Sequence, residues 1–488
     1  MILHFNHVSG GTSAKSLGDL TGLVVGSIVS QVEQGTVDAR LLSSLRVHLD
    51  WVHYKHNFRE AVSVRRATRS DGRALALAEI AVDLRQADPA RLGQDLADAL
   101  RAVDPDIEAG PGDAVRLEDF TPLRLSIIWH FNRLFWEQLE AWESAAGHRY
   151  ELTAPSVQAD ASHPQAVADS VGDFWTLLRD LEARGQLPDE VFALEIGSGS
   201  GGRAAAWLDR FKALDQTCGT GYYARLRFLL GDCSEATLKR ALAAVAAHAP
   251  AVSVLAIDAL NPFRTLSYLR SKVLYVHLTN VYDNLAFDEM VRRDGRLYLV
   301  ETRAYVSANA ADRLQSEFGV TREQLPAMAR QLCERGPEAV SPGEPGILFW
   351  RALWDALRLE ERLRAIDEAD EAHVPPELTR SHLDDLLAEA PEDVRFHVSR
   401  GAAESFANTL PLLHPRGFLQ VQDIFVTSME QYRQGFRGPG KLDGSIVTWV
   451  NGPLLRAVGA RAGYDVHFAP FRYRPESKAT ILYTTPRP

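Results

Sequence analysis

One stretch of the sequence constrains the fold more than any other: an apolar run that ends in an acid and a glycine-rich corner. Residues Val191–Ile196 (VFALEI) predict a buried β-strand, and Gly197–Gly202 (GSGSGG) follow directly. A helix is predicted next, over 202–213. Glycine lets the chain turn tightly and lets a ligand approach the backbone, because no Cβ obstructs it. The order of strand, glycine corner and helix is therefore typical of the first unit of a nucleotide-binding α/β sheet.

Further apolar runs alternate with helical segments from about residue 165 onward. Runs of this kind suit strands that are buried on both faces of a parallel sheet. We therefore predict an α/β fold with a Rossmann-like sheet of seven strands. The last strand is expected to be antiparallel, because only a short linker joins it to its neighbour. The strands predicted besides 191–196 are 225–231, 252–258, 272–279, 417–426, 464–470 and 478–485, with an added strand at 296–306.

The remaining pattern divides the chain of 488 residues into four segments. An N-terminal, mostly helical domain with a β-hairpin is predicted first, and a helical insertion is predicted to interrupt the sheet. The segments are 1–145 (N-terminal domain), 146–306 (first part of the core), 307–397 (helical insertion, with a helix over 353–368) and 398–488 (second part of the core).

Composition narrows the class of protein. The formal net charge is −11 with both signs mixed along the chain, which gives no electrostatic footprint for a nucleic-acid partner. The chain has three cysteines, and no two of them form a CxxC pair. We therefore expect neither a disulfide framework nor a metal site. The start lacks the pattern of a signal peptide, and no early apolar run is long enough to span a membrane. We therefore expect a cytoplasmic protein without a membrane partner.

The glycine corner is compatible with three interpretations. Gly197, Gly199 and Gly201 form Gly-x-Gly-x-Gly, with Ser198 between the first two. A dinucleotide enzyme would favour Gly-x-Gly-x-x-Gly with a pyrophosphate at the helix N-terminus, and a ligand-free structural turn is the third interpretation. S-adenosylmethionine (SAM) has no phosphate, and its cationic amino group can be received by an acid at the strand end. Glu195 supplies that acid, so the corner favours SAM as cofactor.

Two later strand ends carry further candidate cofactor residues. Asp232 and Cys233 follow the strand 225–231, where a carboxylate can accept two hydrogen bonds from the ribose hydroxyls. Asp258 and Ala259 end the strand 252–258, where they would face the adenine amino group. The alternatives are that Asp232 only caps the following helix and that Asp258 is a solvent-exposed loop acid.

A polar cluster follows the strand 272–279. Asn280, Tyr282 and Asp283 are the predicted catalytic residues, since groups of this kind can orient a nucleophile or accept its proton. Asn280 is also a candidate cofactor residue. The alternative is a series of helix N-cap residues before Leu285–Met290.

Together, these segments resemble the MidA-like methyltransferases, a family that includes complex I assembly factors methylating a protein arginine. The matching segments are Glu195–Gly201, Asp232–Ser234, Asn280–Ala286, Thr153–Ser156, Gly417–Phe425 and 445–452. The resemblance implies a class I SAM-dependent methyltransferase. Ser445, Trp449 and Asn451 stand where the family has an acid, a histidine and a second acid, so carboxylates that would hold a guanidinium are missing.

The resemblance and the residues together predict methyl transfer from SAM to a nitrogen or oxygen of a protein or peptide side chain. A small-metabolite methyltransferase and a non-catalytic assembly protein with a relic SAM pocket are the alternatives. An aromatic helix over 124–145 is expected in the core or at a domain interface, and it could also contribute to a homodimer interface or a lid.

Overall fold

The computed structural model describes residues 2–6, 14–35, 45–52, 54–103, 113–150, 160–366, 380–433 and 438–487. The strands are β1 (Ile2–Asn6), β2 (Leu45–Asp50), β3 (Val62–Thr68), β4 (Ala74–Asp83), β5 (Val115–Arg116), β6 (Thr121–Pro122), β7 (Val191–Ile196), β8 (Leu226–Asp232), β9 (Val252–Ala256), β10 (Val273–Thr279), β11 (Asp288–Arg293), β12 (Arg296–Val306), β13 (Leu357–Ala365), β14 (Val394–Val398), β15 (Leu413–Asp423), β16 (Phe425–Val426), β17 (Gly440–Leu442), β18 (Ser445–Val447), β19 (Val450–Asn451), β20 (Tyr464–Pro470) and β21 (Thr480–Pro486). The helices are α1 (Ala14–Glu33), α2 (Leu92–Arg101), α3 (Ile127–Glu137), α4 (Leu139–Ala146), α5 (Pro164–Ala183), α6 (Gly202–Cys218), α7 (Tyr222–Arg225), α8 (Glu235–Ala244), α9 (Pro262–Leu266), α10 (Ala308–Phe318), α11 (Leu325–Arg335), α12 (Glu344–Ala356), α13 (Arg380–Glu389), α14 (Arg400–Thr409) and α15 (Gly452–Arg461).

The predicted seven-stranded sheet is present in the described part of the chain. Its strand order is β20-β21-β15-β10-β7-β8-β9. β21 pairs with β15 and with β20 in antiparallel fashion, whereas the pairs formed by β7, β8, β9, β10 and β15 among themselves are parallel. The strand order reverses between β7 and β10, and a reversal of this kind opens a ligand crevice at the carboxyl ends of the strands.

The two central strands of this sheet are apolar because helices cover both of its faces. Every residue of β10 is buried. On one face, α5 and α6 pack Phe174, Trp207 and Phe211 against the sheet, and on the other face α14 and α15 contribute Phe406 and Leu454. Burial on both faces explains the near-continuous apolar runs from which these strands were predicted.

A second, ten-stranded sheet lies beside the first, in the order β1-β2-β4-β3-β13-β12-β11-β14, with β5 and β6 also paired to β12. It contains the predicted hairpin, because β3 and β4 pair antiparallel around the turn at residues 69–73. Its strands come from three of the four predicted segments. Whether those segments correspond to separate folding units stays a prediction.

Charged side chains are buried within the second sheet. Arg395 on β14 bonds Glu289 on β11 and Glu361 on β13, and Glu361 also pairs with Arg65 on β3. Arg293 donates to Glu79 at 2.9 Å. Because each charge has an opposite partner, the desolvation cost of burying it is offset by ion pairing.

Two element predictions were wrong, whereas the added strand predicted at 296–306 is present as β12 and belongs to the second sheet. The helix predicted over 353–368 ends at Ala356, and residues 357–365 form β13, so the predicted helical insertion contains a strand. The helix predicted over 124–145 is two helices, α3 and α4, interrupted at Gln138. The segment Thr153–Ser156 lies outside the described residues.

No helix in the described ranges is both long enough and apolar enough to cross a membrane. The same residues contain no group of three or more histidine, cysteine, aspartate or glutamate side chains arranged to hold a metal ion. The cytoplasmic location and the homodimer stay predictions.

Candidate functional site

In the glycine corner between β7 and α6, all three predicted glycines have left-handed backbone conformations. Their φ angles are 75° at Gly197, 52° at Gly199 and 78° at Gly201. A Cβ at Gly197 would lie 2.5 Å from Val281, and one at Gly201 would lie 2.7 Å from the Ala241 backbone. A Cβ at Gly199 would meet no protein atom within 4 Å. The outer two glycines are therefore required by protein packing, whereas Gly199 borders open space.

Asp232, at the end of β8, forms a hydrogen bond with this corner. Its carboxylate accepts the Gly199 N–H at 3.3 Å and the Ser234 N–H at 3.1 Å. Burial raises the pKa of Asp232 above its ordinary value. The cap of α8 is Ser234, whose hydroxyl accepts the Thr237 N–H, so the alternative in which Asp232 caps this helix does not describe the structure.

The other three predicted nucleoside-binding residues, Cys233, Asp258 and Ala259, are not fully buried. Cys233 is exposed. Asp258 is also exposed and accepts the Leu260 N–H at 2.9 Å, while Ala259 is half-buried. The Ile257 N–H donates to the Asp232 carbonyl at 3.0 Å and so joins the ends of β8 and β9. Asp258 therefore lies next to Asp232 in the fold, as a loop acid open to solvent.

Glu195 lies beneath the corner rather than on its surface. It is buried, and Arg203 on α6 donates to its carboxylate at 2.9 Å. Burial raises the pKa of Glu195, and the Arg203 guanidinium opposes that shift. A direct contact between Glu195 and a ligand's ammonium would require this ion pair to open. Ser198, by contrast, has a buried hydroxyl that bonds no partner among the described residues.

The turn after β10 carries the predicted catalytic residues. Asn280 has a left-handed φ of 53°, and its N–H donates to the Gln422 carbonyl at 3.0 Å. Asn284 donates its amide to one oxygen of Asp283 at 2.7 Å. The second Asp283 oxygen, Asn280 Oδ1 and Asn284 Oδ1 are buried and accept no hydrogen bond within the described residues. A short 3₁₀ turn and then β11 follow, so the alternative of a helix starting near Leu285 does not hold.

Tyr282 points away from this cluster. Its ring is fully buried in the hydrophobic core around the seven-stranded sheet, and its hydroxyl faces Ser405 on α14. Burial raises the pKa of the Tyr282 phenol. The structure therefore places Tyr282 in a packing position and brings Asn280 and Asp283 together without it.

Asp423, at the end of β15, is a site residue that the sequence reasoning missed. One of its carboxylate oxygens accepts the N–H groups of Tyr282 at 2.9 Å and Asp283 at 3.3 Å, and the other accepts the Ile424 N–H at 2.8 Å. It is completely buried. Burial raises the pKa of Asp423 to about 7. The available signals were its position at the end of the apolar strand that runs parallel to β10 and its place within Gly417–Phe425, a segment that resembles the MidA-like methyltransferases.

The wall opposite this turn comes from α3, the segment after α4, and β18. Asn132 donates to the Asn284 carbonyl at 2.9 Å and accepts the Ile446 N–H at 2.8 Å. The Tyr150 phenol bonds the Ser445 hydroxyl at 3.4 Å, and burial raises the pKa of Tyr150. Glu143 accepts both the Tyr150 N–H and the Arg240 guanidinium at 3.0 Å. Arg240 lies on α8, so the same carboxylate connects this wall to the helix behind Asp232.

Trp449 and Asn451 make contacts with β14 and α15. The Trp449 carbonyl bonds His397 at 2.9 Å. Asn451 caps α15 by accepting the Leu454 N–H, and its amide donates to the His397 carbonyl at 2.7 Å. These two residues therefore connect β14 to the N-terminus of α15.

No family model and no curated protein matches the chain. It is similar to the solved structure of a candidate methyl transferase from Burkholderia thailandensis bound to S-adenosyl-homocysteine, with 14% identity, a TM-score of 0.42, and coverage of 74% of this chain and 93% of that chain. For the carbon methyltransferase CurJ the values are 11%, 0.33, 84% and 74%. For an O-methyltransferase family protein from Burkholderia thailandensis they are 10%, 0.28, 74% and 71%. The first of these structures is described as a member of the COG1565 superfamily.

Proposed function

We propose that the chain is a class I SAM-dependent methyltransferase that methylates a nitrogen or oxygen atom. One observation carries this proposal: the glycine corner and the turn with the buried oxygens meet at the strand-order reversal, where Val281 touches Gly197. A cofactor seated on the corner would therefore lie next to Asn280 and Asp283. Methyl transfer requires this proximity of donor and acceptor more than any other feature.

The residues at the corner fit SAM better than a dinucleotide. Gly199 faces open space, and Asp232 can accept hydrogen bonds from ribose hydroxyls. The Gly199 N–H already donates to the Asp232 carboxylate, so an amide that a pyrophosphate would use is occupied by a like-charged group. The unpartnered Ser198 hydroxyl is available to the methionine part of the ligand.

SAM, when bound, supplies an electrophilic methyl group on a cationic sulfur. The protein's own residues then have to orient the acceptor and exclude water. Asn280 Oδ1 and Asn284 Oδ1 are buried oxygens without donors, so they would bind an acceptor that carries an N–H or O–H group. Tyr150 and Ser445 close the opposite side and keep this turn away from solvent.

The enclosure of the turn favours a small-molecule acceptor over a protein side chain. Asp283 and Ser445 are completely buried, and Asn280 and Tyr150 are nearly so. A folded protein substrate would need an open surface around the reacting atom, whereas pockets that bury a small ligand are enclosed in this way.

Calorimetry with SAM tests the cofactor assignment. We expect wild-type protein to bind SAM, and we expect Asp232→Asn to weaken binding at least tenfold because the charged acceptor for the ribose is lost. Asp189→Asn, at an exposed position outside the site, is the matched control and should bind like wild type. Equal affinity of the Asp232 variant and the wild type would contradict the assignment, and absence of binding to wild type would overturn the proposed function.

The acceptor class can be determined with SAM that carries a labelled methyl group. A cell lysate treated with enzyme and labelled SAM is separated into protein and small-molecule fractions and analysed by mass spectrometry. We expect the label in a small molecule. Label in a protein band would instead identify a side-chain acceptor, and SAM binding without any labelled product would favour the assembly protein with a relic pocket.

A further inference from the structure

Two completely buried carboxyl groups lie close together, Asp283 in the turn after β10 and Asp423 at the end of β15. The Asp283 N–H donates to the same Asp423 oxygen that also accepts the Tyr282 N–H. The Ile424 N–H donates to the second Asp423 oxygen. The Asp283 carboxyl, by contrast, receives the Asn284 amide and its own backbone N–H, which it shares with Asp423. The three N–H donors on Asp423 stabilise a negative charge there better than one amide and one shared N–H stabilise it on Asp283.

No cation compensates the pair within the described residues. The titratable groups that face it are the Tyr150 phenol, which lies toward Asp283, and the Tyr282 phenol, which lies toward Asp423. Burial raises the pKa of both phenols, so both are neutral near pH 7. Two adjacent carboxylates without a cation cannot both ionise at low cost, and one proton is therefore held between them.

We propose that Asp423 is a positioning residue that fixes the turn at residues 281–283 and keeps the proton of the pair on Asp283, so that Asp283 meets the methyl acceptor as a neutral hydrogen-bond donor. This inference rests on the proposed function for its meaning in catalysis. The charge arrangement itself can be measured in the free protein.

The direction of the pKa shift of Asp283 agrees with the hydrogen-bond geometry of the pair. Burial and the neighbouring Asp423 carboxyl raise the pKa of Asp283 well above its ordinary value. A neutral Asp283 donates from the oxygen that has no partner, while Asn280 Oδ1 and Asn284 Oδ1 accept. A hydroxyl group complements this set as a ligand, because it can donate one hydrogen bond to an amide oxygen and accept one from Asp283.

Infrared spectroscopy tests the charge arrangement. The carbonyl absorption of protonated carboxyl groups is followed in ligand-free protein while the pH is raised through the neutral range. We expect wild type to retain a protonated-carboxyl band above pH 7 that Asp283→Asn lacks. We expect Asp423→Asn, which removes the neighbouring charge, to shift the midpoint of this band to lower pH by at least one unit.

The Asp283→Asn variant gives the reciprocal test and keeps the proposal falsifiable if Asp423→Asn fails to fold. In Asp283→Asn, whose amide is uncharged like the protonated Asp283, the Asp423 titration should keep its wild-type midpoint. Asp189→Asn should leave the spectrum unchanged. An unmoved Asp283 midpoint in Asp423→Asn, a lowered Asp423 midpoint in Asp283→Asn, or persistence in Asp283→Asn of the band that wild type retains above pH 7 would overturn the proposal. Because SAM is absent from this measurement, its failure is distinct from a failure to bind SAM.

Discussion

Gly199 differs from the two glycines that flank it. Gly197 and Gly201 are held by contacts with Val281 and Ala241, so a side chain there would displace protein atoms. The space beside Gly199 contains none within 4 Å. A substitution at Gly199 is therefore the most specific way to obstruct a ligand without disturbing the surrounding packing.

We expect Gly199→Ala to lower SAM affinity at least tenfold while the chain still folds. Its left-handed φ costs an alanine about 1–2 kcal/mol of stability. Gly185→Ala is the matched control, because Gly185 also has a positive φ and open space around it but lies outside the site. Calorimetry and urea unfolding of both variants check this. Equal SAM affinity in both would show that nothing binds against Gly199.

The Asp283–Asp423 pair predicts an unusual dependence of stability on pH. Both pKa values are raised, so the folded state retains protons that the unfolded chain loses near pH 4. The free energy of unfolding should therefore fall as the pH rises through the window up to about 7, where Asp423 titrates. Asp283→Asn should flatten this decline. Urea unfolding at several pH values measures it, and parallel curves for the two proteins would contradict it.

The positions of single residues were predictable where the neighbouring sequence indicates them. The glycines and Asp232 follow apolar strands in a recognisable order, and the structure brings them together. Asp423 follows an equally apolar strand, but its role depends on a parallel neighbour that is far away in sequence. The Tyr282 ring lies in the core for a similar reason, because adjacent turn residues point in different directions and only the packing decides which one is buried there. Its catalytic role stays a prediction.

The strand β13 shows why one element was mistaken for a helix. Leu359 and Leu363 are four residues apart, a spacing that places side chains on one face of a helix and also on one face of a strand. Glu361 lies between them on the same strand face, so the apolar alternation is interrupted by a charge. That charge is satisfied by Arg65 and Arg395 from other strands, which the local sequence does not reveal.

The turn between β17 and β18 fastens α4 and α12 to the site wall. Asp443 accepts the Trp142 indole N–H at 2.9 Å on its side chain and the Trp354 indole N–H at 2.7 Å on its carbonyl. Its φ of 52° is left-handed. Ser445, two residues later, bonds Tyr150. Loss of the Asp443 contacts should therefore weaken the packing of the helices that enclose the turn after β10.

We expect Asp443→Ala to reduce the free energy of unfolding by about 2–4 kcal/mol, since it leaves a buried indole N–H unpaired and places alanine at a positive φ. Asp443→Asn keeps an acceptor oxygen and tolerates this φ, so its cost should stay below about 1 kcal/mol. Urea unfolding compares them. Similar losses for both variants would show that neither the indole bond nor the backbone conformation determines the cost.

At the scale of the whole molecule, each of the two sheets is stabilised by a different kind of interaction. The seven-stranded sheet is stabilised by apolar helices on both faces. The second sheet buries ion pairs that link strands β3, β11, β13 and β14. Its charged residues are distant from the glycine corner, so the stability of the chain and its affinity for SAM should be separable by mutation.

Glu361→Gln should reduce the free energy of unfolding by about 1–3 kcal/mol, because it removes one charged partner from Arg395 and from Arg65, which keep Glu289 and Glu79. Glu190→Gln makes the same chemical change in an exposed pair with Arg227 and should cost at most about 1 kcal/mol. Urea unfolding and SAM calorimetry are measured on both. A large loss of SAM affinity in folded Glu361→Gln would show that the two sheets are energetically coupled.

The contact between Gly197 and Val281 has a consequence for how such a protein could diverge. A bulkier residue at either position would push on its counterpart, since interiors are close-packed. New substrates are therefore more readily accommodated by changes at Asn132, Tyr150 or Ser445, which come from outside the seven-stranded sheet. A lineage could exchange its substrate by altering those positions while inheriting an unchanged donor-binding corner.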